Sequence, residues 1–385
     1  MDAKNILKEL IDSTGITING HHPWDIQIHD ERAYARILHE GALGLGESYM
    51  DGWWDCARVD EFIQRALSAN LEKKIRNSKR LIFKIFINKL VNFQTKLRAL
   101  EVGRKHYDLG LSLYRHMLDS RMNYTCGYWK TADNLEDAQL AKLELTCRKL
   151  RLKPGMSLLD IGCGWGGLAK YAAEKYGVRV VGVTISHDQY EYAKQLCEHL
   201  PVEIRFQDYR DVSEKFDRIC SLGMFEHVGY KNYLAYMKNV FHNLTDDGLF
   251  LLHTIGDNVG GPPNEWITKY IFPNGILPTI ELIAKYSEKM FVMEDWHNFG
   301  ADYDKTLMAW QRNFVNNWDK IKSDYDQRFY RMWNYYLLAC AGAFRARKLQ
   351  LWQIVFSKGG IKEGYQAPRT IELAPQPSPN YAINL

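Results

Sequence analysis

Short apolar runs alternate with longer stretches of helical periodicity through the centre of the chain, between about residues 157 and 254. The runs have the length of β-strands, and the stretches between them are long enough for helices that cross from one strand to the next. Strands that alternate with helices predict a parallel sheet with helices on both faces. We therefore predict an α/β fold with a doubly wound, mainly parallel sheet. The apolar runs are 158–160, 178–183, 202–206, 216–221 and 249–254, and the helical stretches are 168–176, 189–199 and 233–243.

The two ends of the chain lack this alternation. Before about residue 105 the pattern is mostly helical, and after about 285 aromatic-rich helical stretches precede a late strand at 349–358. We predict a small helical domain over 1–90, a linker over 91–105 and a second domain over 106–385. From about residue 363 the density of prolines predicts a frayed tail. These prolines are Pro368, Pro375, Pro377 and Pro379.

Composition excludes several classes of protein. With 46% hydrophobic and 25% charged residues, the 385-residue chain can bury a core, so wholesale disorder is excluded. The longest apolar run, 335–341, is far below the roughly 20 residues that a membrane-spanning helix needs. Residues 1–12 lack the apolar centre of a secretory signal. Seven cysteines without a CxxC pair argue against a disulfide framework or a zinc site, and they predict a cytoplasmic protein without a bound metal.

The stretch 71–98 is strongly basic, although the whole chain carries an excess of only 50 − 46 = 4 positive charges. It holds nine lysines and arginines against one acid, Glu72, with apolar residues interleaved. A basic amphipathic helix of this kind suits the surface of an anionic membrane. A solvated helix that packs its apolar stripe on the core, or an interdomain linker, explains the pattern equally well. Nucleic acid is disfavoured as a partner, because nothing else in the chain resembles a nucleic-acid-binding module.

A glycine-rich turn follows the first apolar run, in the sequence DIGCGWGG at 160–167. Gly162, Gly164 and Gly167 satisfy the GxGxxG pattern of dinucleotide sites, which expects an acid about 20 residues later. At that distance the chain has Thr184 and no acid. Asp160 instead precedes the glycines, a pattern typical of S-adenosylmethionine (SAM)-dependent methyltransferases. The turn therefore favours SAM over NAD as cofactor, and a purely structural turn is the remaining interpretation.

Several spaced motifs occur in the order found in one family, over nearly the whole chain. On these motifs the chain resembles the cyclopropane-fatty-acyl-phospholipid synthases. That family often has serine at the position of Thr125 and alanine at that of Gly127, and both differences are conservative in size. The motifs are GALGLGESYMDGWW at 41–54, HYD at 106–108, YTCGYW at 124–129, GMFEHVG at 223–229, LLHTIG at 251–256, GADY at 300–303 and ACAGAF at 339–344.

The resemblance implies a function, a fold and a set of partners. It implies transfer of a methylene unit from SAM to the cis double bond of a phospholipid's acyl chain, on a sheet of the SAM-dependent methyltransferase type. It also implies a homodimer that associates peripherally with the membrane. The implied SAM-binding residues are Tyr107, Tyr124, Thr125, Asp160, Gly162, Gly164, Thr184, Gln189, Asp208 and Tyr209. The implied bicarbonate site comprises Cys126, Glu226, His253, the Ile255 backbone and Tyr303.

Chemistry supplies a reason for the implied bicarbonate site. Methyl transfer to an alkene leaves a positive charge on the acyl chain, which aromatic faces stabilise, and a base must then remove a proton so that the ring closes. A side-chain carboxylate in contact with the cation risks being alkylated, whereas bicarbonate is exchangeable. Glu226 and His253 would then act behind the bicarbonate and accept its proton.

Each candidate residue also has a purely structural interpretation. Taken alone, Glu226 is typical of a charge at a helix N-terminus, and His253 of a satisfied buried polar residue. Cys126 and Cys340 are typical of small buried hydrophobes. The apolar neighbours of Cys340 predict a core position for it, so its direct role in catalysis is the weakest of the set.

Two rival functions stay open from the sequence. A methyltransferase on the same fold would leave a methyl or methylene branch on its lipid. A non-catalytic protein would only bind SAM or lipid at the membrane, and the joint presence of Glu226, His253 and Tyr303 argues against it.

Overall fold

The computed structural model describes residues 3–71, 110–261, 264–273 and 275–371. The chain forms two compact units, each assembled from separated stretches. The first unit takes Met1–Leu113, Pro263–Pro273 and Phe314–Lys348, and the second takes Tyr114–Pro262, Asn274–Asn313 and Leu349–Leu385. The predicted boundaries at 90 and 105 lie outside the described residues. The structure nevertheless differs from the continuous domains that we predicted, because two later stretches group with the N-terminal unit.

The helices and strands are numbered in chain order. The helices are α1 (Ala3–Ile11), α2 (Arg32–Glu40), α3 (Ala42–Met50), α4 (Val59–Ser68), α5 (Leu111–Met117), α6 (Leu135–Lys149), α7 (Gly167–Tyr176), α8 (His187–Leu196), α9 (Tyr233–Asn243), α10 (Glu265–Tyr270), α11 (Ile280–Ser287), α12 (Ala301–Asn316), α13 (Trp318–Ile321) and α14 (Gln327–Arg345). The strands are β1 (Gln27–Ile28), β2 (Trp54–Asp55), β3 (Ser157–Ile161), β4 (Arg179–Thr184), β5 (Val202–Phe206), β6 (Phe216–Leu222), β7 (Leu244–Asp257), β8 (Val292–Asn298) and β9 (Leu349–Ser357).

The second unit is built on a sheet that has seven strands among the described residues, in the order β5-β4-β3-β6-β7-β9-β8. The strands from β5 to β7 are parallel, and β9 runs antiparallel to both of its neighbours. Successive residues of β3 pack into different clusters: Leu158 lies with residues of α6 and α7, and Leu159 lies with residues of α9. Helices therefore cover both faces, and the predicted doubly wound α/β fold is confirmed.

The predicted elements of this sheet occur within a few residues of their expected positions. The five apolar runs form β3 to β7, and the three helical stretches form α7, α8 and α9. β7 has 14 residues and is longer than predicted: Leu249–His253 pair with β6, and Leu249–Asp257 pair with β9. The predicted late strand is β9, which inserts between β7 and β8.

The first unit is mainly helical in its described residues, and aromatic side chains fill its core. The ring of Trp54 lies 4.9 Å from that of Tyr49, and the ring of Trp266 lies 4.8 Å from that of Tyr335. Gly46 on α3 permits a close approach, because a Cβ there would lie 2.4 Å from Trp266 Cδ1. These contacts explain why stretches from the later part of the chain belong to this unit.

The predicted frayed tail is wrong for residues 363–371. These residues form no helix or strand, yet Ile371 is fully buried and the Tyr365 hydroxyl donates to the Lys149 carbonyl at 2.7 Å. Arg369 forms an ion pair with Asp295. Prolines remove backbone hydrogen-bond donors, but the side chains of the residues between them can still form contacts, so a proline-rich segment need not be frayed.

Within the residues that the structure describes, no helix is long and apolar enough to cross a membrane.

Candidate active site

The glycine turn lies where the strand order of the sheet reverses, because β3 is flanked by β4 and β6. Ligands of doubly wound sheets bind at this point, beyond the carboxyl ends of the strands. The amides of Gly162 and Cys163 donate to the Val183 carbonyl at 2.9 and 3.1 Å, which ties the turn to β4. Gly164 has φ +54°, and a Cβ there would meet no described heavy atom within 4 Å. The turn is therefore open on the side of Gly164.

The ends of β4 and β5 adjoin the turn and carry further predicted cofactor residues. The Thr184 hydroxyl donates to the Gln189 side chain at 2.9 Å, and the amide of Gln207 donates to the Thr184 carbonyl at 3.0 Å. Asp208 follows directly and caps a short 3₁₀ helix, Tyr209–Asp211. The structure thus brings Gly162, Gly164, Thr184, Gln189, Asp208 and Tyr209 to the carboxyl ends of β3, β4 and β5.

Asp208 and Tyr209 are held by neighbours within the same unit. A hydrogen bond from Arg210 to Asp208, 2.6 Å long at its shortest, lowers the pKa of that carboxyl. The ring of Tyr209 lies 5.3 Å from that of Tyr236 on α9. The carboxylate is therefore ionised and preoriented at the edge of the sheet.

Asp160 lies on β3, directly before the turn, and its side chain is buried. The carboxyl is 2% exposed, and the Cys220 thiol donates to it at 3.6 Å. Burial raises the pKa of Asp160 to about 7. Lys142 on α6 is equally enclosed and donates to the Thr125 hydroxyl at 3.1 Å, and burial lowers the pKa of its ammonium group to about 8.

The aromatic residues predicted to contact the cofactor are only partly described. Tyr107 lies outside the described residues. Tyr124 packs its ring 5.2 Å from Tyr114 and 5.2 Å from Trp310. The next residue, Thr125, contacts the opposite loop closely, because a Cβ on Gly223 would lie 2.7 Å from Thr125 Cγ2.

Glu226 lies in a 3₁₀ helix, Phe225–His227, that follows β6. Its Oε1 accepts the Ile255 amide hydrogen at 2.7 Å, while its Oε2 is buried without a hydrogen-bond partner among the described residues. Burial raises the pKa of Glu226 to about 7, although the Ile255 hydrogen bond opposes the shift. The Ile255 amide, which the resemblance assigned to bicarbonate, is thus engaged by Glu226 itself.

His253 lies on β7 and is 1% exposed. Its Nδ1 is 3.3 Å from the amide nitrogen of Gln353, and its Nε2 is buried with no partner in the part of the chain that the structure describes. Burial, reinforced by the positive charges of Lys142 and Lys149, lowers the pKa of His253 well below its usual range. The ring is therefore neutral. The amide of Gly223 donates to the His253 carbonyl at 2.9 Å, which ties β7 to the loop before Glu226.

Cys126 and Tyr303 lie near Thr306 on α12. The hydroxyl oxygen of Thr306 accepts the Gly127 amide hydrogen at 3.1 Å and lies 3.9 Å from Cys126 Sγ. The Cys126 thiol is fully buried and donates to the Gly127 carbonyl at 3.2 Å, and burial raises its pKa well above the usual value. Tyr303 is 8% exposed on the first turn of the same helix. Cys126 is therefore a neutral thiol rather than a nucleophile.

Cys340 belongs to the first unit, on α14, whereas the other described candidates all belong to the second unit. Burial raises the pKa of its thiol to about 12. A thiol with such a pKa is neither a nucleophile nor a base at neutral pH, which agrees with the structural interpretation of this residue.

Comparison with known proteins identifies the family of this chain. A family model described as mycolic acid cyclopropane synthetase matches residues 94–354. The chain is 55% identical to the cyclopropane-fatty-acyl-phospholipid synthase of Escherichia coli strain K12 over 369 residues, which cover 94% of this chain and 95% of that protein. The chain belongs to the mycolic acid cyclopropane synthetase family.

Solved structures of cyclopropane synthases are similar to the chain over a smaller share of its length. The cyclopropane synthase MmaA2 from Mycobacterium tuberculosis is 31% identical with a TM-score of 0.62, covering 66% of this chain and 96% of that one. The mycolic acid cyclopropane synthase CmaA1, solved with SAH and CTAB, is 33% identical with a TM-score of 0.62, covering 66% and 97%. The similarity to the Escherichia coli relative, by contrast, extends over nearly the whole chain.

Three buried polar residues of this cyclopropane synthetase chain were missed by the sequence reasoning. Lys142 and Gln353 each interrupt an apolar run, and Thr306 is fully buried on α12. A lone polar residue inside an otherwise apolar strand or helix signals a buried group that needs a partner. The partner itself comes from another element, so the signal marks the residue without showing its role.

Proposed function

We propose that the protein transfers a methylene unit from SAM to the cis double bond of an unsaturated phospholipid acyl chain and so forms a cyclopropane ring. The observation that carries the proposal is the 55% identity to a cyclopropane-fatty-acyl-phospholipid synthase, which spans 94% of this chain and 95% of that protein. A match of that extent includes both units and not only the methyltransferase-type sheet.

The carboxyl edge of β3, β4 and β5 fits SAM as the cofactor. The turn is open at Gly164, and two large apolar side chains at the ends of β4 and β5 are exposed, Ile185 at 75% and Phe206 at 56%. Open backbone and apolar surface suit the polar tail and the flat base of a nucleoside cofactor. When bound, SAM supplies the electrophilic methyl group that becomes the methylene carbon of the ring. The residues that would hold it are Gly162, Gly164, Thr184, Gln189, Asp208 and Tyr209.

A substitution at Gly164 tests the cofactor assignment. Gly164→Val should abolish SAM binding, because a branched side chain would occupy the open side of the turn. Gly155→Val is a matched control, since Gly155 also has positive φ and open space but precedes β3 at the opposite end of the strand. Calorimetry should show SAM binding to the control only. Micromolar binding of NAD and none of SAM by the unmodified protein would overturn the assignment.

We further propose that bicarbonate accepts the proton released when the ring closes. The support is that two of the buried atoms without a partner among the described residues are Glu226 Oε2 and His253 Nε2. Buried polar groups are normally hydrogen-bonded, so these two atoms suit a small polar ligand. They would hold bicarbonate together with Cys126 and Tyr303, and the Ile255 amide would act by orienting Glu226. Turnover should fall in carbonate-free buffer and return with added bicarbonate; an unchanged rate would remove bicarbonate from the mechanism.

The main experiment incubates the protein with labelled SAM and vesicles of cis-unsaturated phospholipid. Mass analysis of the released acyl chains should show a gain of one CH₂. A methylene-branched chain has the same mass as its cyclopropane isomer, so proton spectra must also show ring protons and no olefinic ones. A product that keeps an olefin, or gains a saturated methyl branch, would favour the rival methyltransferase. No transfer at all would favour a binding protein.

We propose that the basic stretch 71–98 holds the protein against anionic lipid. The support is its local charge balance of 9 − 1 = +8 in the sequence. Residues 72–98 lie outside the described residues, and each cation near an anionic surface contributes about 1 kcal/mol at low salt. Neutralising Lys79, Arg80, Lys84 and Lys89 should therefore weaken vesicle co-sedimentation by a few kcal/mol, and less at high salt.

A second quadruple variant serves as the control for charge. It neutralises four exposed lysines elsewhere, namely Lys153, Lys175, Lys320 and Lys322. Equal sedimentation of both variants and the unmodified protein would show that 71–98 is only a linker. The homodimer that the resemblance implies is a separate proposal, and light scattering over a range of concentrations tests it.

A further inference from the structure

Gln353 lies directly opposite His253, where β9 pairs with β7. Its side chain is fully buried, and its amide nitrogen lies 3.3 Å from His253 Nδ1 and 3.2 Å from Thr146 Oγ1. Thr146 on α6 is also fully buried, and its hydroxyl donates to the Lys142 carbonyl at 2.8 Å. A continuous line of hydrogen bonds therefore runs from α6 through β9 to the imidazole ring.

The direction of each bond in this line follows from the first. The single proton of the Thr146 hydroxyl is given to the Lys142 carbonyl, so Thr146 Oγ1 can only accept from Gln353. The opposite orientation of the Gln353 amide would place two acceptor oxygens against each other. The amide nitrogen consequently faces Thr146, and its second hydrogen is directed to His253 Nδ1.

A neutral imidazole carries one proton, so a ring that accepts at Nδ1 carries its hydrogen at Nε2. We propose that Gln353, oriented by Thr146, is a positioning residue that holds His253 as the Nε2–H tautomer. The ring then aims a hydrogen-bond donor, not an acceptor, from the buried atom that has no partner among the described residues.

The Nε2–H tautomer gives His253 and Glu226 different roles toward the bicarbonate. This inference rests on the proposed function. His253 donates a hydrogen bond to the anion and holds it in place. Glu226 is left as the group that takes the proton, because its Oε2 is also buried without a described partner and a carboxylate oxygen can accept a proton. A protonated His253 would add a third positive charge beside Lys142 and Lys149, whose charges already disfavour it.

The test reads the tautomer directly and does not depend on turnover. In full-length protein labelled with ¹⁵N-histidine, the His253 signals are assigned by their loss in His253→Asn. We expect a protonated, pyrrole-type Nε2 and an unprotonated, pyridine-type Nδ1. In Gln353→Glu the carboxylate accepts from the ring, so the two signals should exchange types. Turnover should fall about 10- to 100-fold, as for other residues that orient a histidine, with KM for SAM unchanged.

Gln350→Glu is the matched control, because Gln350 is also buried on β9 but accepts from Asn298 Nδ2 at 2.8 Å and has no bond to His253 in the structure. It should leave the His253 signals unchanged. If Gln353→Glu does not fold, Gln353→Met removes the donor at similar size and should give a mixture of tautomers. An Nδ1–H ring in the unmodified protein, or signals unaffected at position 353, would overturn the proposal. Lack of cyclopropanation with the expected signals would instead count against the proposed function alone.

Discussion

Two buried glutamates, one in each unit, show how differently the two parts of the molecule treat a buried charge. Glu47 in the first unit is 4% exposed and Glu226 in the second is 7% exposed. Glu47 accepts hydrogen bonds from Lys269 at 2.6 Å and from Tyr270 at 2.7 Å, and it also pairs with Arg36. Burial alone would raise the pKa of Glu47, but these partners bring it below the usual value.

Glu226 is also buried, but no charged partner lowers its pKa. The Ile255 amide donates to it at 2.7 Å, the groups that oppose the shift are all neutral, and burial raises its pKa to about 7. Both side chains are nearly inaccessible to solvent, yet their pKa values shift in opposite directions, because Glu47 has two cationic partners and the groups that lower the pKa of Glu226 are all neutral. A saturated carboxylate such as Glu47 holds helices together, whereas an under-satisfied one is available to a ligand or a proton.

The largest expected effect is on the saturated glutamate. Glu47→Ala leaves Arg36 and Lys269 without their buried acceptor, so it should lower the free energy of unfolding by about 3–5 kcal/mol. Urea unfolding followed by tryptophan fluorescence measures the change. Glu40→Ala is the control, because Glu40 also pairs with Arg36 but is exposed, and it should cost about 0.5 kcal/mol or less. If Glu47→Ala and Glu40→Ala lowered the free energy of unfolding equally, the buried partners of Glu47 would not stabilise the first unit as proposed.

The next effect is a pH dependence of stability that Glu226 introduces. The pKa of Glu226 rises from 4.5 to about 7 on folding, so between these values the folded protein binds a proton that the unfolded chain has lost. Its contribution to stability is therefore present below about pH 4.5 and is lost as pH rises through 7, by about 3 kcal/mol in total.

Glu226→Gln removes this titration, so it supplies the comparison. The free energy of unfolding is measured at pH 5 and at pH 8. The decrease from pH 5 to pH 8 should be smaller in Glu226→Gln than in the unmodified protein. Parallel pH profiles of the two proteins would show that Glu226 is not desolvated as the structure indicates.

The third effect is on catalysis. Glu226→Gln should lower turnover at least about 100-fold while SAM binding persists, because the amide cannot take up the proton. Glu47→Gln, assayed where it is folded, should keep its turnover since Glu47 belongs to the other unit. Initial rates with labelled SAM and vesicles measure both. A near-normal rate in Glu226→Gln would remove this residue from the mechanism.

The smallest effect concerns the thiol on α14. Because burial raises the pKa of Cys340 to about 12, its neutral side chain acts by packing. Cys340→Ala should leave turnover within about twofold and cost about 1 kcal/mol of stability. A large loss of turnover with normal stability would give Cys340 a direct role in catalysis. The catalytic residues would then not all belong to the second unit.

The parallel sheet and its glycine turn were predictable from the sequence because their signals are local. The apolar run of β3 and the glycines of the turn after it, Gly162 and Gly164, are signals carried by neighbouring residues. The alternation of such strands with helices implies that the strands pair in parallel. Motifs also marked Glu226 and His253. The docking of residues 363–371 was not predictable, because it depends on partners such as Asp295 that lie far away in the chain.

Only the tertiary structure decided which buried polar groups are satisfied. Glu47 and Glu226 look alike in sequence, but the partner of the first, Lys269, is 222 residues away, and that of the second, Ile255, is 29 residues away. Gln353, which faces the imidazole of His253, is separated from it by 100 residues. Desolvation and hydrogen bonds set protonation states, and both depend on atoms that different elements bring together. The motifs therefore marked Glu226 and His253, while the protonation states of these two residues depend on the fold.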